Sequence, residues 1–381
     1  MVLTQHAQNY LQKLFLKRLR YMFTEQEKNL LHIIQNNFPL RAQPYAAIGR
    51  RLGMRESAVL ISLESLKQRK LLKEIRAIFD ARFLGFQSAL IAFKLEEARL
   101  AHAANVINLH PGVSHNYQRL HPYNLWFTLV VPQDIVLETH VQTLADLTAC
   151  QQYFVFPSLR TFKRRVQFIL SDSVNSRQKS ARVQAIRNSS QAISGHSDYF
   201  LLPQDAQQHI MSMLHNDLSL SSEPFCDIAR RCSVKNDHFF DFVSYLLASQ
   251  KMSRFAGILY HRNVGFTANA MVVWNVPASI MLPFVEEAVS SPAISHCYER
   301  STYPEWPYNV YTMCHGTSQR RTQEVIEKLA ATFTIGEYEV LYSGTEYKKH
   351  RVNYFGQDIY EWDQRYVKTR RQDAETQGSR L

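Results

Sequence analysis

A chain of 381 residues is long for one hydrophobic core, and 45% hydrophobic with 12% aromatic residues excludes a disordered chain. The balance of 44 Lys+Arg against 33 Asp+Glu, a formal +11, favours an acidic partner: nucleic acid, an anionic membrane or a polycarboxylate. Five cysteines (Cys150, Cys226, Cys232, Cys297, Cys314) with no Cys-x-x-Cys pair exclude a disulfide framework and predict reduced thiols and a cytoplasmic location.

Residues 1–23 read as a helical arm extending the first domain, and Lys13, Lys17, Arg18 and Arg20 break any apolar run that could be a signal peptide or a membrane span. Thr24-Glu25-Gln26-Glu27 has the form of a capping box, and Leu30, Leu31 and Ile34 follow at helical spacing. Pro44 opens a second helix, Gly53 ends it after Leu52, and a third is expected from about Ser57 to Lys70. This is helix-turn-helix spacing. Arg82-Phe-Leu-Gly-Phe86 then introduces an alternating strand from Ala89 to Leu95. A helix at 98–109, a strand around Ser114-His115, a strand at 125–131, a helix at 133–148 and a strand at 162–170 complete a βαββαβ unit.

After a Ser- and Arg-rich linker at 171–199 the chain repeats itself. Pro224 stands 180 residues beyond Pro44, Ile228-Ala-Arg-Arg231 echoes Ile48-Gly-Arg-Arg51, and Arg262-Asn-Val-Gly-Phe266 echoes Arg82 to Phe86. Strands at 270–276, 308–314 and 338–355 and helices at 279–290 and 319–332 follow, again around a Ser-His strand. The expected fold is α+β: two tandem repeats, each a helix-turn-helix domain (24–80; 200–258) followed by a ferredoxin-like domain (81–170; 259–355), with a tail at 356–381. A ferredoxin-like sheet carries helices on one face only, so the two helix-free faces are expected to pair within the chain.

Pro111-Gly-Val-Ser-His-Asn-Tyr-Gln-Arg119 recurs as Pro292-Ala-Ile-Ser-His-Cys-Tyr-Glu-Arg300. Strand alternation puts His115, Tyr117, Arg119 and His121 on one face, and His296, Tyr298 and Arg300 on its counterpart. A face that is basic and proton-carrying suits an anionic ligand. Tyr123-Asn124 and Tyr308-Asn309 follow the two copies. Aligning the Gly-Phe pairs sets His261 opposite Ala81 and Arg262 opposite Arg82, so the second half holds an extra proton carrier. Lys348, Lys349 and Arg351 read either as carboxylate ligands or as a solvated strand edge. His110, before Pro111, reads as a helix-end residue, and His32, His102, His140, His209, His215 and His238 show no metal-ligand spacing, so no metal site is predicted.

Helix-turn-helix followed by βαββαβ resembles the Lrp/AsnC regulators. The helix that would read DNA, however, runs Ser62-Leu-Glu-Ser-Leu66, and its counterpart from Ser233 to Leu247 sets Phe239, Phe240, Phe242 and Tyr245 beside one Lys and two Asp. Both lack the positive charge that phosphates require, which predicts structural use and no specific DNA binding. The chain resembles the siroheme decarboxylase family more closely. The first half is similar to its A- or D-type subunit in Phe38-Pro-Leu40, in His110 to Tyr117 and in Tyr123 to Thr128. The second is similar to the B- or L-type subunit in His261-Arg262, Gly265 to Met271, Ser295 to Arg300, Trp306 to Asn309 and Lys348-Lys349-x-Arg351.

The resemblance covers 24–170 and 200–355 and implies a fusion of two subunits that elsewhere form a heterodimer. It implies a carboxy-lyase that removes two acetate carboxyls from siroheme, giving didecarboxysiroheme on the way to haem or d-type haem, with no cofactor beyond the iron tetrapyrrole substrate. The alternative is an Lrp/AsnC-type regulator that senses a tetrapyrrole or another small ligand. On the enzyme reading His261, His296 and His115 carry protons, and Arg119, Tyr117, His121, Arg262, Tyr298, Arg300, Tyr308, Asn309, Lys348, Lys349 and Arg351 hold the substrate. One dominant site is expected on His261, Arg262, His296 and Arg300, closed by the first half. The expected partner is siroheme, with no membrane; further association of fused chains, or with other haem-biosynthesis proteins, is left open.

Overall fold

The structure, a computed structural model, describes residues 23–36, 38–164, 202–260, 268–316 and 318–369. In chain order the first half supplies α1 (Glu25–Asn36), α2 (Pro44–Leu52), α3 (Glu56–Gln68), β1 (Leu72–Phe79), β2 (Phe86–Lys94), α4 (Leu100–Asn108), β3 (Val113–Arg119), β4 (Leu125–Pro132), α5 (Leu137–Thr148) and β5 (Gln152–Arg164). The second supplies α6 (Gln204–His215), α7 (Pro224–Arg231), α8 (Asn236–Ala248), β6 (Met252–Leu259), β7 (Ala268–Trp274), α9 (Met281–Ser290), β8 (Ile294–Arg300), β9 (Val310–Gly316), α10 (Gln319–Phe333) and β10 (Tyr338–Lys349), and α11 (Asp358–Trp362) follows. The arm up to residue 22, the linker and the end of the tail lie outside the described residues.

Local signals account for the first elements. Glu27 N donates to Thr24 Oγ1 at 3.1 Å and Thr24 N to Glu27 Oε2 at 2.8 Å, which completes the capping box. Pro44 begins α2, where its missing N–H would be unpaired anyway, and Gly53 ends it at φ 65°, donating its N–H to Gly49 O.

The described residues form two compact units, which cut across the tandem order. In the first, the two helix-turn-helix sets are joined by an antiparallel ribbon of β1 and β6, from Leu72 opposite Leu259 to Phe79 opposite Met252. Leu31, Ile48, Val59 and Leu63 are buried in one set and Ile210, Phe225, Phe239 and Phe242 in the other. Tyr45 donates to Ser219 O at 2.9 Å, and Phe38 lies 6.2 Å from Phe225 and 5.3 Å from Phe255, ring centre to ring centre, so the repeats share a core. Phe239 and Phe242 of α8 are thus packing residues, and Glu64 of α3 is exposed.

In the second unit the two four-stranded sheets close into an eight-stranded barrel, in the order β10-β3-β4-β2-β5-β8-β9-β7. The helix-free faces do meet, around Trp126, Phe154, Phe156, Met271, Trp306 and Tyr311. The sheets also join edge to edge, which removes every exposed edge. β5 pairs with β2 up to Pro157 and with β8 from Ser158; β10 pairs with β7 up to Tyr342 and with β3 from Ser343. Each half therefore lends its last strand to the other. The first of these strands begins at Gln152, not at 162, and residues 165–170 lie outside the described residues. Pro157 sits where the strand changes partner, so its missing N–H falls at the end of a ladder.

The lent strands are bolted to their hosts. Lys163 Nζ donates to Val289 O and Ser291 O at 2.9 and 2.8 Å, at the C-terminus of α9. Lys348 Nζ donates to Asn108 O and His110 O at 2.6 and 3.1 Å, at the C-terminus of α4. Each ammonium satisfies terminal carbonyls and sits at the negative end of a helix dipole.

The tail has a structural role that the sequence did not suggest. Ile359, Trp362 and Val367 are buried in the core that Phe93, Ile107, Phe127 and Val141 build on the helix-covered side of the first-half sheet. Gly112 N donates to His110 Nδ1 (2.9 Å), His110 Nε2 meets His140 Nδ1 (2.9 Å), and His140 Nε2 meets Asp363 Oδ1 (3.1 Å). A backbone donor at one end and a carboxylate at the other set both rings as the neutral Nε2–H tautomer. His110 is a link in this chain, not merely a helix-end residue.

Candidate active site at one rim of the barrel

β3 and β8 stand four strands apart in either direction around the barrel, and every neighbouring pair is antiparallel. They therefore run the same way on opposite walls, and their first residues share one rim. Tyr117 is paired with Trp126 and Tyr298 with Tyr311, both from the aromatic interior, so each ladder looks inward.

The expected rungs form. The His115 and Tyr117 rings stack at 6.3 Å and 23°, and the Arg119 guanidinium lies 5.5 Å from the Tyr117 centroid. The His296 and Tyr298 rings stack at 6.0 Å and 21°, with Arg300 4.9 Å from the Tyr298 centroid. Each ladder runs from a histidine at the rim to an arginine in the depth. His115 is exposed and His296 half-buried, and the hydroxyl of the preceding serine meets each Nδ1, at 2.9 Å for Ser114 and 2.7 Å for Ser295.

The arginines hold the barrel closed. Arg119 Nη1 donates to Leu341 O at 3.0 Å and Arg300 Nη1 to Phe156 O at 2.6 Å, next to the points where β10 and β5 change partner. Burial lowers both guanidinium pKa values, that of Arg119 to about 10, and among the described residues the Nε of each has no hydrogen-bond partner. Each buried N–H left over is a donor that a ligand carboxylate reaching that depth would satisfy.

The strand exchange redistributes the other expected ligands. Lys349 lies opposite His115, so the basic end of the second half serves the first-half ladder, while Arg164 of the first half lies opposite His296. Lys348 is committed to its helix end, and burial lowers its pKa. Asn309 accepts from Val276 N and donates to Val276 O, both at 2.9 Å, as Asn124 clamps Leu95; these amides fasten strand ends. His121 lies beyond β3 at the far end, where its Nε2 meets Glu339 Oε2 at 3.0 Å, and Tyr308 donates to Glu339 Oε1 at 3.1 Å. Neither belongs to the rim that His115 and His296 share. Arg351 follows β10 and is half-buried. His261 and Arg262 lie outside the described residues.

Sequence reading passed over Asn269 and His315. On the inward face of the second half Asn269 lies opposite His315 across β7 and β9, where the first half has Ser88 opposite Val130. Counting from the two Tyr-Asn pairs brings His315 onto Val130, a histidine in place of an aliphatic residue within a strand. Among the described residues no helix is long and apolar enough to cross a membrane.

Helix-turn-helix sets in pairs, with two ferredoxin-like sheets whose helix-free faces meet, define a duplicated Lrp/AsnC-type chain. The AsnC-like ligand binding domain matches residues 83–163 and again 263–348, and the siroheme decarboxylase NirDL-like HTH domain matches 27–72. The siroheme decarboxylase of Hydrogenobacter thermophilus is 32% identical over 335 residues, covering 87% of this chain and 96% of its own. The siroheme decarboxylase alpha subunit of Desulfovibrio desulfuricans is 38% identical over 142 residues, covering 37% of this chain and 82% of its own. The crystal structure of the siroheme decarboxylase NirDL with an iron-uroporphyrin III analogue matches with a TM-score of 0.68 at 29% identity, covering 91% of this chain and 99% of that one. The chain belongs to the siroheme decarboxylase family.

Proposed function

We propose that the chain is a cytoplasmic enzyme that decarboxylates two acetate side chains of siroheme to didecarboxysiroheme, a carboxy-lyase reaction needing no added cofactor. The observation that carries the reading is the pair of His-Tyr ladders on opposite walls of one barrel, both opening on the same rim. Aromatic side chains fill the interior of this barrel, and barrel mouths are common binding sites. A tetrapyrrole at this mouth would meet His296 on one wall and His115 with Lys349 on the other.

Loss of carbon dioxide from a pyrrole acetate breaks the C–C bond and leaves an electron pair that the conjugated ring accepts; the methyl carbon then takes a proton. Each carboxylate thus consumes one proton. Histidine supplies it near neutral pH, and His296 stands at the rim with its Nδ1 held by the Ser295 hydroxyl. Tyr298 and Tyr117 stack beneath the two imidazoles and set their orientation. Anaerobic incubation with siroheme followed by mass analysis is expected to show the loss of two carbon dioxide molecules. An unchanged tetrapyrrole beside well-folded protein would sink the reading.

The helix-turn-helix sets support this enzyme as scaffold. Duplex DNA is expected to bind weakly, without sequence preference, and to dissociate at physiological salt. A footprint that survives competitor DNA at that salt would restore the regulator reading.

A further inference from the structure

Behind His296 runs a polar chain whose first link, serine to Nδ1, recurs in the first half between Ser114 and His115, while its two further members are replaced there by Val130 and Ser88. Asn269 Oδ1 accepts from His315 Nδ1 at 2.6 Å, His315 Nε2 lies 2.6 Å from Ser295 Oγ, and Ser295 Oγ lies 2.7 Å from His296 Nδ1. The amide oxygen fixes a proton on His315 Nδ1, which leaves Nε2 to exchange a proton with the serine. Ser295 is 4% exposed, so bulk water has little access to the link. Val130, in the place of His315, has no proton to pass.

We infer that Asn269, Ser295 and His315 are positioning residues that make His315 a proton store for His296. The inference rests on the decarboxylase reading. In the charged state His315 holds protons on both nitrogens, with the Nδ1 proton given to Asn269. When His296 Nε2 protonates the substrate carbon, Ser295 passes its hydroxyl proton to His296 Nδ1 and His315 Nε2 passes its own to Ser295. His315 ends neutral, His296 keeps one proton on Nδ1, and one carboxylate has become carbon dioxide and a methyl group. Uptake of a solvent proton at His296 Nε2 drives the same shifts backward and recharges His315. The imidazole at the rim can thus donate without itself being cationic.

The test is anaerobic decarboxylation of siroheme by the wild type, S295A, S295T and H315A, with siroheme affinity read by absorbance, and with and without imidazole in the buffer. S295A and H315A are expected to lose about tenfold or more in kcat, less than the roughly 10²–10⁴-fold that a general acid itself contributes, at unchanged KM and affinity. Imidazole should restore part of the H315A loss, and S295T, which keeps a hydroxyl, should retain most activity. Wild-type kcat in S295A and H315A, a defect confined to siroheme affinity, or an H315A loss that imidazole leaves untouched would each overturn the relay. A wild type that releases no carbon dioxide from siroheme removes the decarboxylase reading itself, whereas an active wild type with unaffected variants removes only the relay.

Discussion

His296→Ala is expected to slow single-turnover decarboxylation of siroheme by about 10²–10⁴-fold, the usual cost of removing a general acid, while siroheme still binds. His115→Ala should cost less. The two histidines share a rim, a stacked tyrosine and a serine partner on Nδ1, so the difference lies in what stands behind them. Behind His296 the serine leads on to His315 and Asn269; in the first half those two positions are Val130 and Ser88. His115 is also exposed, which favours a group that steadies the substrate over one whose proton is guarded. Affinity should be followed by absorbance in parallel, because tetrapyrrole loss would mimic a catalytic defect. If His115→Ala proves as damaging as His296→Ala at full occupancy, the catalytic step uses both walls and the asymmetry is not functional.

The duplication and both ladders were legible in sequence because they rest on short-range rules: a capping box, Pro and Gly at helix ends, and alternation that puts His, Tyr and Arg on one face. The strand exchange was not. Which edge β5 or β10 joins beyond its own sheet is a tertiary choice, and it moved Lys349 from the expected second-half site to the side of His115. Lys348 and Asn309 carried the right chemistry for an anionic ligand, but their partners turned out to be backbone groups at a helix end and a strand end. His315 was missed for a different reason. A single histidine in an apolar strand reads as a packed core residue until its neighbours across β7 and β8 are known. Cys226, Cys232, Cys297 and Cys314 are buried and Cys150 is half-buried, and burial pushes Cys297 and Cys314 up to about 12.

Trp362→Ala is expected to destabilise the barrel unit by about 3–5 kcal/mol, the usual cost of removing a large aromatic from a core. Its ring lies 4.1 Å from that of His110, 4.8 Å from that of His140 and 5.1 Å from that of Tyr366, centre to centre, so truncation strips the apolar cover from the histidine chain. The same chain predicts acid lability. Burial is the main cause of the lowered pKa of both His110 and His140; for His140, Asp363 offsets part of it. The folded state therefore binds fewer protons than the unfolded chain below the ordinary histidine value of about 6.5. The stabilisation is complete above that pH and is lost as pH falls through it toward the folded-state values, by up to about 1.4 kcal/mol per pH unit for each ring. Thermal melts of the whole chain at about pH 7.5 and about pH 5.5 should show a clear fall in Tm. The fall should shrink in Trp362→Ala, because rings that solvent reaches can be protonated at less cost. A Tm that does not move between the two pH values in the wild type would mean that neither ring is held neutral, and the docking of α11 through Asp363 would need another account.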